Sequence, residues 1–253
     1  MISRTKLKDL ATYRIAKRCE ADGVFVVEGV KMAAEALGSK AEILCVCGTS
    51  QWLGQNDGVT HSRVSDQNIF EISAADLTRL SNQKSPNNVW MLLKRPEKPN
   101  LSDTFNCRTL VLDKIQDPGN LGTIIRTADW FGIRHIVCSH DTVDCYNPKV
   151  VQSTMGGIFR TKVTYTDITE WLSHCGTPVY GAVLGGENLT RQTLLTKPCA
   201  LVIGNESKGI CPAVAQQLTQ QLTIPNIGGT AESLNAASAA AILIAMMTVE
   251  IEN

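Results

Sequence analysis

The chain has 253 residues, of which 43% are hydrophobic and 19% are charged, which is typical of a soluble globular protein of one or two domains. Its 24 basic and 24 acidic residues cancel, so the overall charge does not indicate a nucleic-acid partner. The longest apolar run, Ala236–Met247, is too short to span a bilayer, and residues 1–20 lack the apolar core of a signal peptide. We therefore expect a cytoplasmic protein that does not cross a membrane.

Nine cysteines and four histidines form neither a disulfide pattern nor a metal-binding pattern. No Cys-x-x-Cys pair occurs, and the number of cysteines is odd. We expect reduced thiols that mostly serve as small buried apolar residues, and no metal site.

The first part of the chain predicts a small α/β module. In chain order it predicts a helix at Lys6–Arg18, a strand at Gly23–Glu28, a helix at Val30–Leu37, a strand at Ala41–Cys47, a helix at Ser73–Leu80 with Ser73 as its N-cap, and a strand at Val89–Leu93. A proline-rich polar segment follows at residues 94–108. We therefore divide the chain into a first domain of residues 1–95, a linker of residues 96–107 and a second domain of residues 108–253.

In the second domain, strands and helices alternate more densely. The predicted elements are a strand at Thr109–Leu112, a helix at Leu121–Phe131, a strand at His135–Cys138, a helix at Pro148–Met155, a strand at Lys162–Tyr165, a helix at Ile168–His174, strands at Val179–Leu184 and Ala200–Ile203, a helix at Val214–Leu218, a strand at Gln221–Ile224 and a helix at Ser233–Val249. Alternation of this kind predicts a parallel sheet with helices on both faces.

Residues 1–18 carry six basic side chains against a single acid, Asp9: Arg4, Lys6, Lys8, Arg14, Lys17 and Arg18. Such a stretch can bind nucleic-acid phosphates, because each bound cation releases condensed counterions. A solvated helix face accounts for the same pattern and is favoured by this pattern alone.

A first segment with candidate functional residues runs from Asp117 to Arg126. Its Asp-Pro-Gly start is typical of a turn, and we expect Asn120 to cap the helix that follows. Gly122 and Arg126 are four residues apart, which predicts one shared helix face away from the apolar stripe. An arginine there suits a phosphate or a ribose, although a surface ion pair with Asp129 explains it equally well.

A second segment runs from Leu201 to Ile210, where a buried strand enters a loop bounded by Gly204 and Gly209. Such loops can cradle a nucleotide-like ligand with backbone N–H groups, although most glycine-rich turns are structural. Ile210 and Cys211 stand where a phosphate-binding loop needs Lys and Ser or Thr, and no G-x-G-x-x-G is present.

A third segment, residues 224–235, precedes an almost wholly apolar helix rich in alanine. Pro225 ends a strand, a Gly-Gly pair makes a turn, and Ser233 is expected to cap the helix. A capped core helix explains this pattern in part, but it does not explain why Ser233 and Asn235 lie at the mouth of an apolar helix.

In this order and at these separations, the three segments resemble the signature motifs of the SpoU/TrmH family of RNA ribose 2′-O-methyltransferases, in the SPOUT superfamily. The likeness covers residues 109–249. In the first domain, Phe25-Val-Val-Glu-Gly29 after a basic helix is similar to the ribosomal-protein-like RNA-binding domain of many family members.

The resemblance implies an α/β fold whose second domain contains a trefoil knot, which physical rules alone would not predict. It also implies a homodimer formed through the knotted domain, with active sites that draw on both chains. S-adenosylmethionine is the implied methyl donor, bound by Gly204, Asn205, Glu206, Gly209, Ile224, Pro225, Ser233 and Leu234. The implied methyl-transfer centre consists of Asn120, Arg126, Glu206, Ser233 and Asn235.

The resemblance also implies the role of each side chain. By this resemblance, Arg126 would activate the 2′-hydroxyl. Because an arginine cannot readily act as a base, we expect Arg126 instead to grip the adjacent phosphate and to stabilise charge that develops on the 2′-oxygen. Asn120, Ser233 and Asn235 would orient the ribose and Arg126, and Glu206 would position the cofactor loop or an arginine of the partner chain. The six basic residues of the N-terminal stretch, with Arg126, would bind RNA, and ribosomal RNA is favoured over transfer RNA.

Three other functions remain as alternatives. A non-catalytic RNA-binding protein of this fold would show damage among the five implied catalytic residues, and all five are intact. A nucleotide-dependent oxidoreductase would need the missing dinucleotide fingerprint. A knotted methyltransferase that acts on a base would lack the helix carrying Asn120 and Arg126.

Overall fold

A computed structural model describes residues 2–189 and 198–248. The chain packs into two compact units. The first contains residues 1–97 and 146–159, and the second contains residues 98–145 and 160–253. The chain therefore returns to the first unit for fourteen residues in the middle of the second, which the sequence-based division at residues 96–107 does not anticipate.

Helices and strands in residues 2–97 follow the predicted order with additions. They are α1 (Arg4–Ala11), α2 (Ala16–Ala21), β1 (Val24–Glu28), α3 (Val30–Gly38), β2 (Ile43–Gly48), α4 (Ser50–Gln55), α5 (Asp57–His61), β3 (Ile69–Glu71), α6 (Ala74–Leu80) and β4 (Val89–Lys94). Ser73 caps α6 as predicted, because its side chain accepts a hydrogen bond from the backbone N–H of Asp76.

The predicted long basic helix is wrong in one respect, because it is broken into α1 and α2. A 3₁₀ turn at Thr12–Arg14 separates the two helices, and Ile15 adopts an extended backbone with φ of −93° and ψ of 116°. The Thr12 hydroxyl donates to the carbonyl oxygen of Asp9 at 2.6 Å. Threonine, tyrosine and isoleucine are weak helix formers, so three of them within four residues favour a break here.

The sheet of the first unit has the strand order β1-β4-β2-β3. Strand β4 runs antiparallel to β1 and β2, whereas β3 is parallel to β2. One face buries a core built from Leu10, Val26, Leu80, Trp90 and Leu92.

The elements of residues 98–189 and 198–248 follow the predicted alternation. They are β5 (Arg108–Leu112), α7 (Pro118–Trp130), β6 (His135–Cys138), α8 (Pro148–Ser153), β7 (Lys162–Tyr165), α9 (Ile168–His174), β8 (Val179–Asn188), β9 (Cys199–Ile203), α10 (Pro212–Ala215), β10 (Gln220–Thr223) and α11 (Ala236–Thr248). Helix α8 belongs to the returning segment and packs against β1 in the first unit. Val249, the predicted last residue of α11, lies outside the described residues.

Among the described residues, the sheet of the second unit has six strands, all parallel, in the order β10-β8-β9-β5-β6-β7. This confirms the parallel sheet expected from the alternation. On one face, Val111, Val137 and Val202 pack with Trp171 of α9 and Val214 of α10. Their neighbours along the strands, such as Leu110 and Leu112, are equally buried and point to the opposite face. The sheet of the second unit is therefore buried on both faces.

Helix α7 packs against α11, although the two lie more than a hundred residues apart in sequence. Helix α7 follows the central strand β5, whereas α11 follows β10 at the edge of the sheet. The last part of the chain therefore returns from the sheet edge to its middle. This return brings the third sequence segment to the first.

Candidate active site

Helix α7 begins differently from the sequence prediction. Its N-cap is Asp117, whose Oδ1 accepts a hydrogen bond from the backbone N–H of Asn120 at 2.8 Å, and Pro118 occupies the first turn. The prediction that Asn120 is the cap is therefore wrong. An aspartate directly before a proline is a strong helix-start signal, because it accepts from a free N–H while proline needs no partner. The side chain of Asn120 is thereby left available for other contacts.

The start of α11 also differs from the prediction. Asn235, and not Ser233, is the cap, because its Oδ1 accepts from the backbone N–H of Ala237 at 2.9 Å and of Ser238 at 3.3 Å. Ser233 is exposed, and within the described part of the chain its side chain makes no hydrogen bond. The helix consequently begins at Ala236, three residues later than expected.

A chain of side-chain hydrogen bonds joins all three sequence segments. The Nδ2 of Asn235 donates to the Oδ1 of Asn120 at 2.9 Å, and the Nδ2 of Asn120 donates to the Oε1 of Glu206 at 2.8 Å. These residues are 115 and 86 positions apart in sequence. The fold thus brings together three of the five residues predicted for the catalytic centre.

The loop that carries Glu206 is a closed turn. The backbones of Asn205 and Gly209 exchange hydrogen bonds of 3.0 and 2.9 Å. The side chain of Asn205 accepts from the N–H groups of Ser207 and Lys208, at 3.0 Å each. At Gly204 an added Cβ would lie 2.3 Å from the carbonyl carbon of Gly209, so only glycine fits where the two ends of the turn meet.

Two further contacts tie this loop to the end of β5. The Nδ2 of Asn205 donates to the carbonyl oxygen of Lys114 at 2.8 Å, and the N–H of Cys211 donates to the Oδ2 of Asp113 at 2.7 Å. Asp113 is buried, and its Oδ1 has no partner among the described residues. Burial raises the pKa of the Cys211 thiol, which keeps this thiol neutral beside the loop. The sequence prediction missed Asp113 and Lys114, although both follow a buried strand directly.

The segment between β10 and α11 supplies apolar surface. Ile224 and Pro225 are half-buried, and Leu234 is 50% exposed, directly before the cap residue Asn235. Between them, Asn226 closes a turn by accepting from the N–H of Gly229 at 2.7 Å. Exposed leucine next to a polar cluster is suited to an organic ligand that has both an apolar and a polar part.

Arg126 does not join the hydrogen-bond chain. It is exposed on α7, and among the described residues it has neither a hydrogen bond nor an ion pair. Its alternative partner, Asp129, instead forms a two-contact pair with Arg160 at 3.0 and 3.1 Å. Gly122 is buried, so it does not share an exposed face with Arg126 as predicted. Arg126 is thus free to meet a ligand or another chain.

The predicted basic residues of the first unit differ in their contacts. Lys6 lies 4.0 Å from Asp9, and Arg18 pairs with Asp22 at 2.9 Å and stacks over Tyr13. Arg4, Lys8, Arg14 and Lys17 are exposed. Because nearby aspartates partly neutralise Lys6 and Arg18, the other four cations are better suited to bind phosphates.

Within residues 2–189 and 198–248, no three His, Cys, Asp or Glu side chains cluster as metal ligands would. Over the same ranges, no helix is long and apolar enough to cross a bilayer.

Two family models match the chain. The SpoU rRNA methylase family matches residues 108–245, and the MRM3-like substrate binding domain matches residues 4–90. The 23S rRNA (guanosine(2553)-2′-O)-methyltransferase of Bacillus subtilis is 28% identical over 242 residues, which cover 94% of each protein.

Solved structures of related proteins are similar to this fold along nearly the whole chain. A TrmH-family protein from Porphyromonas gingivalis is 37% identical, with a TM-score of 0.82 over 97% of this chain and 98% of that one. An AdoMet-bound rRNA methyltransferase from Sinorhizobium meliloti is 27% identical, with a TM-score of 0.84 over 97% of this chain and 95% of that one.

Proposed function

Because the chain belongs to the SpoU rRNA methylase family, we propose that it transfers the methyl group of S-adenosylmethionine to a ribose 2′-hydroxyl of ribosomal RNA. The observation that carries this proposal is the hydrogen-bond chain from Asn235 through Asn120 to Glu206, which unites three distant segments in one polar site. The relatives that modify 23S rRNA favour ribosomal RNA over transfer RNA.

The second unit has groups suited to hold the cofactor. The closed turn of residues 204–209 would support its polar end, and the half-buried Ile224 and Pro225 with Leu234 would contact its adenosine part. Ser233, exposed beside Leu234, is free to bind the same ligand. When bound, S-adenosylmethionine supplies a methyl group that is already electrophilic, so the protein does not need a metal to activate it.

The remaining task of the protein is to position the 2′-hydroxyl and to stabilise charge on its oxygen. Asn120 and Asn235 would orient the ribose, because their amides are held in a fixed relation to each other and to Glu206. Arg126 would bind the adjacent phosphate and stabilise the developing negative charge, since its guanidinium has donors to spare. Glu206 would fix the orientation of Asn120 and of the cofactor loop.

We further propose that residues 1–95 bind the substrate RNA and that residues 108–253 carry out methyl transfer, with residues 96–107 between them. The match of residues 4–90 to a substrate binding domain supports the first assignment. The exposed cations Arg4, Lys8, Arg14 and Lys17 support it as well, with Lys6 and Arg18 beside them. A protein with this substrate would act in the cytoplasm.

We also propose a homodimer formed through the second unit, in which the C-terminal part of the chain is knotted. Exposed large apolar side chains of this unit support the dimer, among them Trp130 at 85%, Ile227 at 90% and Ile242 at 39%. The return of α11 from the sheet edge onto α7 is the kind of crossing that a trefoil knot requires.

Labelled methyl transfer tests the proposed reaction. Total RNA from a strain that lacks the gene is incubated with the protein and labelled S-adenosylmethionine, for wild type, Arg126→Ala and the matched control Arg134→Ala, which removes another exposed arginine of the same unit. We expect alkali-resistant label in ribosomal RNA with wild type and Arg134→Ala, and a loss of at least about 100-fold with Arg126→Ala. Cofactor binding without any methyl transfer by wild type would favour a non-catalytic RNA-binding protein.

A further inference from the structure

The first unit contains a cleft with a volume of about 490 Å³, which none of the three sequence segments explains. Its walls come from the start of α2, the end of β1, residues 82 and 83, and α8 of the returning segment. A volume of this size is in the range of pockets that bind a small organic molecule.

A buried carboxylate fixes one wall of the cleft. Glu28, at the end of β1, is only 7% exposed. One of its oxygens accepts from the Ser81 hydroxyl, and the other accepts from the backbone N–H of Asn82 at 3.1 Å. The Ser81 hydroxyl in turn accepts from the N–H of Gln83 at 2.9 Å. Residues 81–83 are therefore held rigidly, which orients the side chains of Asn82 and Gln83.

Side-chain amides line this cleft in an arrangement that leaves donors and acceptors unused. The Nε2 of Gln83 donates to the Oε1 of Gln152 at 3.1 Å. This hydrogen bond leaves the Oε1 of Gln83 available as an acceptor and the Nε2 of Gln152 available as a donor. If the oxygen and nitrogen of both side-chain amides are exchanged, one acceptor and one donor still remain available. The side-chain amide of Asn82 has no hydrogen-bond partner among the described residues.

Two cations, Arg14 and Lys149, line the same cleft. Arg14 is exposed and is the last residue of the 3₁₀ turn that separates α1 from α2, so the break in the helix lies at the wall of the cleft. Cations beside amides with unused donors and acceptors match the two halves of a nucleotide, because phosphates bind Lys and Arg while base edges pair with amide donors and acceptors.

We propose that this cleft binds one unpaired nucleotide of the substrate RNA and reads its base. Arg14 and Lys149 contact the flanking phosphates, and Gln83, Gln152 and Asn82 contact the edge of the base. Glu28 is a positioning residue that acts through residues 81–83. Proteins read RNA sequence mainly at unpaired bases, because the deep groove of an RNA helix hides the base edges. The inference rests on the proposed function in that it takes RNA as the substrate.

Short oligonucleotides test this proposal on the full chain. Four fluorescein-labelled pentaribonucleotides carry A, C, G or U between two pairs of uridines, and their affinities are measured by fluorescence anisotropy at about 50 and 200 mM salt. We expect wild type to prefer one central base by about 5-fold or more, the discrimination that one pair of amide contacts gives. Gln83→Ala should reduce this preference to less than 2-fold, and the matched exposed control Gln51→Ala should leave it intact.

Arg14→Ala should weaken the binding of all four oligonucleotides by the same factor. It should also reduce the magnitude of the slope of log K against log salt concentration by about 0.7, the value for one phosphate contact on a single strand. Lys40→Ala, which removes an exposed cation outside the cleft, should change neither quantity. In methyl transfer, Gln83→Ala should raise the KM for RNA and leave both kcat and cofactor affinity unchanged.

A base preference that survives in Gln83→Ala, or a Lys40→Ala effect as large as that of Arg14→Ala, would overturn the proposal. The same holds if no pentanucleotide binds to wild type. If wild type still transfers labelled methyl in these cases, only the assignment of the cleft to a nucleotide is wrong, and the proposed reaction stands. Absence of transfer by wild type, with base-specific binding intact, would instead show that the proposed reaction is wrong.

Discussion

Asn120 uses both polar atoms of its side chain, and its two partners differ in what they demand. Its Nδ2 faces the carboxylate of Glu206, which can only accept, and its Oδ1 faces the Nδ2 of Asn235, which can only donate. The residue at position 120 must therefore offer one donor and one acceptor on a short planar group. Asparagine meets this demand, and the nearly isosteric aspartate does not.

Asn120→Asp should lower methyl transfer by about 100-fold, the loss typical of removing one oriented polar group from an active site. The new carboxylate would face that of Glu206 without a donor between them, while the contact with Asn235 is kept. The measurement is kcat with saturating RNA. Because Asn120 is only half-buried and Glu206 is exposed, the free energy of unfolding should change by less than about 1 kcal/mol.

The double variant Asn120→Asp with Glu206→Gln serves as the control for this explanation. Its glutamine amide can donate to the new aspartate, so the pair is restored with donor and acceptor exchanged. We expect the double variant to be at least about 5-fold more active than Asn120→Asp alone. Equal or lower activity would mean that the negative charge of Glu206 is itself required.

At the scale of elements, Asn235 at the start of α11 has a structural role and, by our proposal, a functional one. Its Oδ1 caps the helix, whereas its Nδ2 donates to Asn120. Asn235→Asp keeps the capping oxygen and loses the donor, and Asn235→Ala loses both. We expect Asn235→Ala to be less stable by about 1 kcal/mol and Asn235→Asp to retain wild-type stability.

Both substitutions should nevertheless abolish most methyl transfer, because neither can donate to Asn120. Urea unfolding and kcat measured on the same two variants separate the two tasks. If Asn235→Asp were as active as wild type, the contact with Asn120 would have no role in the reaction and Asn235 would be a helix cap only.

Most of the second unit could be predicted from sequence because its strands are continuous apolar runs between helical patterns. The buried β5, β6 and β9 are of this kind, and all were found within one residue of their bounds. The elements of residues 50–71 were missed because the short helices α4 and α5 contain Gly54, Gly58 and few apolar residues. Packing within the first unit, and not local propensity, holds such short helices.

The candidate site could be predicted only in part, for a related reason. Single segments indicated Asn120, Glu206 and Asn235 no more strongly than a turn or a helix cap would, and resemblance was needed to join them. Their contact depends on the return of α11 to α7, which is a property of the chain path and leaves no local pattern. The cleft with Glu28 was missed because its walls are remote in sequence.

At the scale of the whole molecule, Glu28 gives the first unit a pH dependence of its own. Burial raises the pKa of its carboxyl, and hydrogen bonds from Ser81 and Asn82 only partly oppose this shift. The folded state therefore binds this proton more tightly than the unfolded state does. The contribution of Glu28 to stability is present at pH below its unfolded pKa and is lost as the pH rises through its folded pKa.

Glu28→Gln removes this ionisation and keeps a similar shape. Relative to wild type, we expect the variant to gain stability between about pH 4 and pH 7, because only wild type must bury a charge at the higher pH. Urea unfolding of both proteins at a series of pH values measures the difference. A difference that stays constant with pH would show that the carboxyl of Glu28 titrates normally.

The isolated position of Arg126 leads to a prediction about the proposed dimer. Arg126 lies on an exposed face of α7 without contact to Asn120, Glu206 or Asn235, and Trp130 on the same helix is 85% exposed. If this face meets a second copy, Arg126 of one chain can complete the cluster of the other.

Arg126→Ala and Asn235→Ala, each inactive alone, should then restore activity when they are mixed and allowed to exchange subunits. Half of the dimers would be mixed, and each mixed dimer would have one intact site of two, which gives about one quarter of wild-type activity. Sedimentation must show a dimer for wild type, and Trp130→Glu should weaken it. Additive residual activity in a mixture that exchanges subunits would place Arg126 in the site of its own chain.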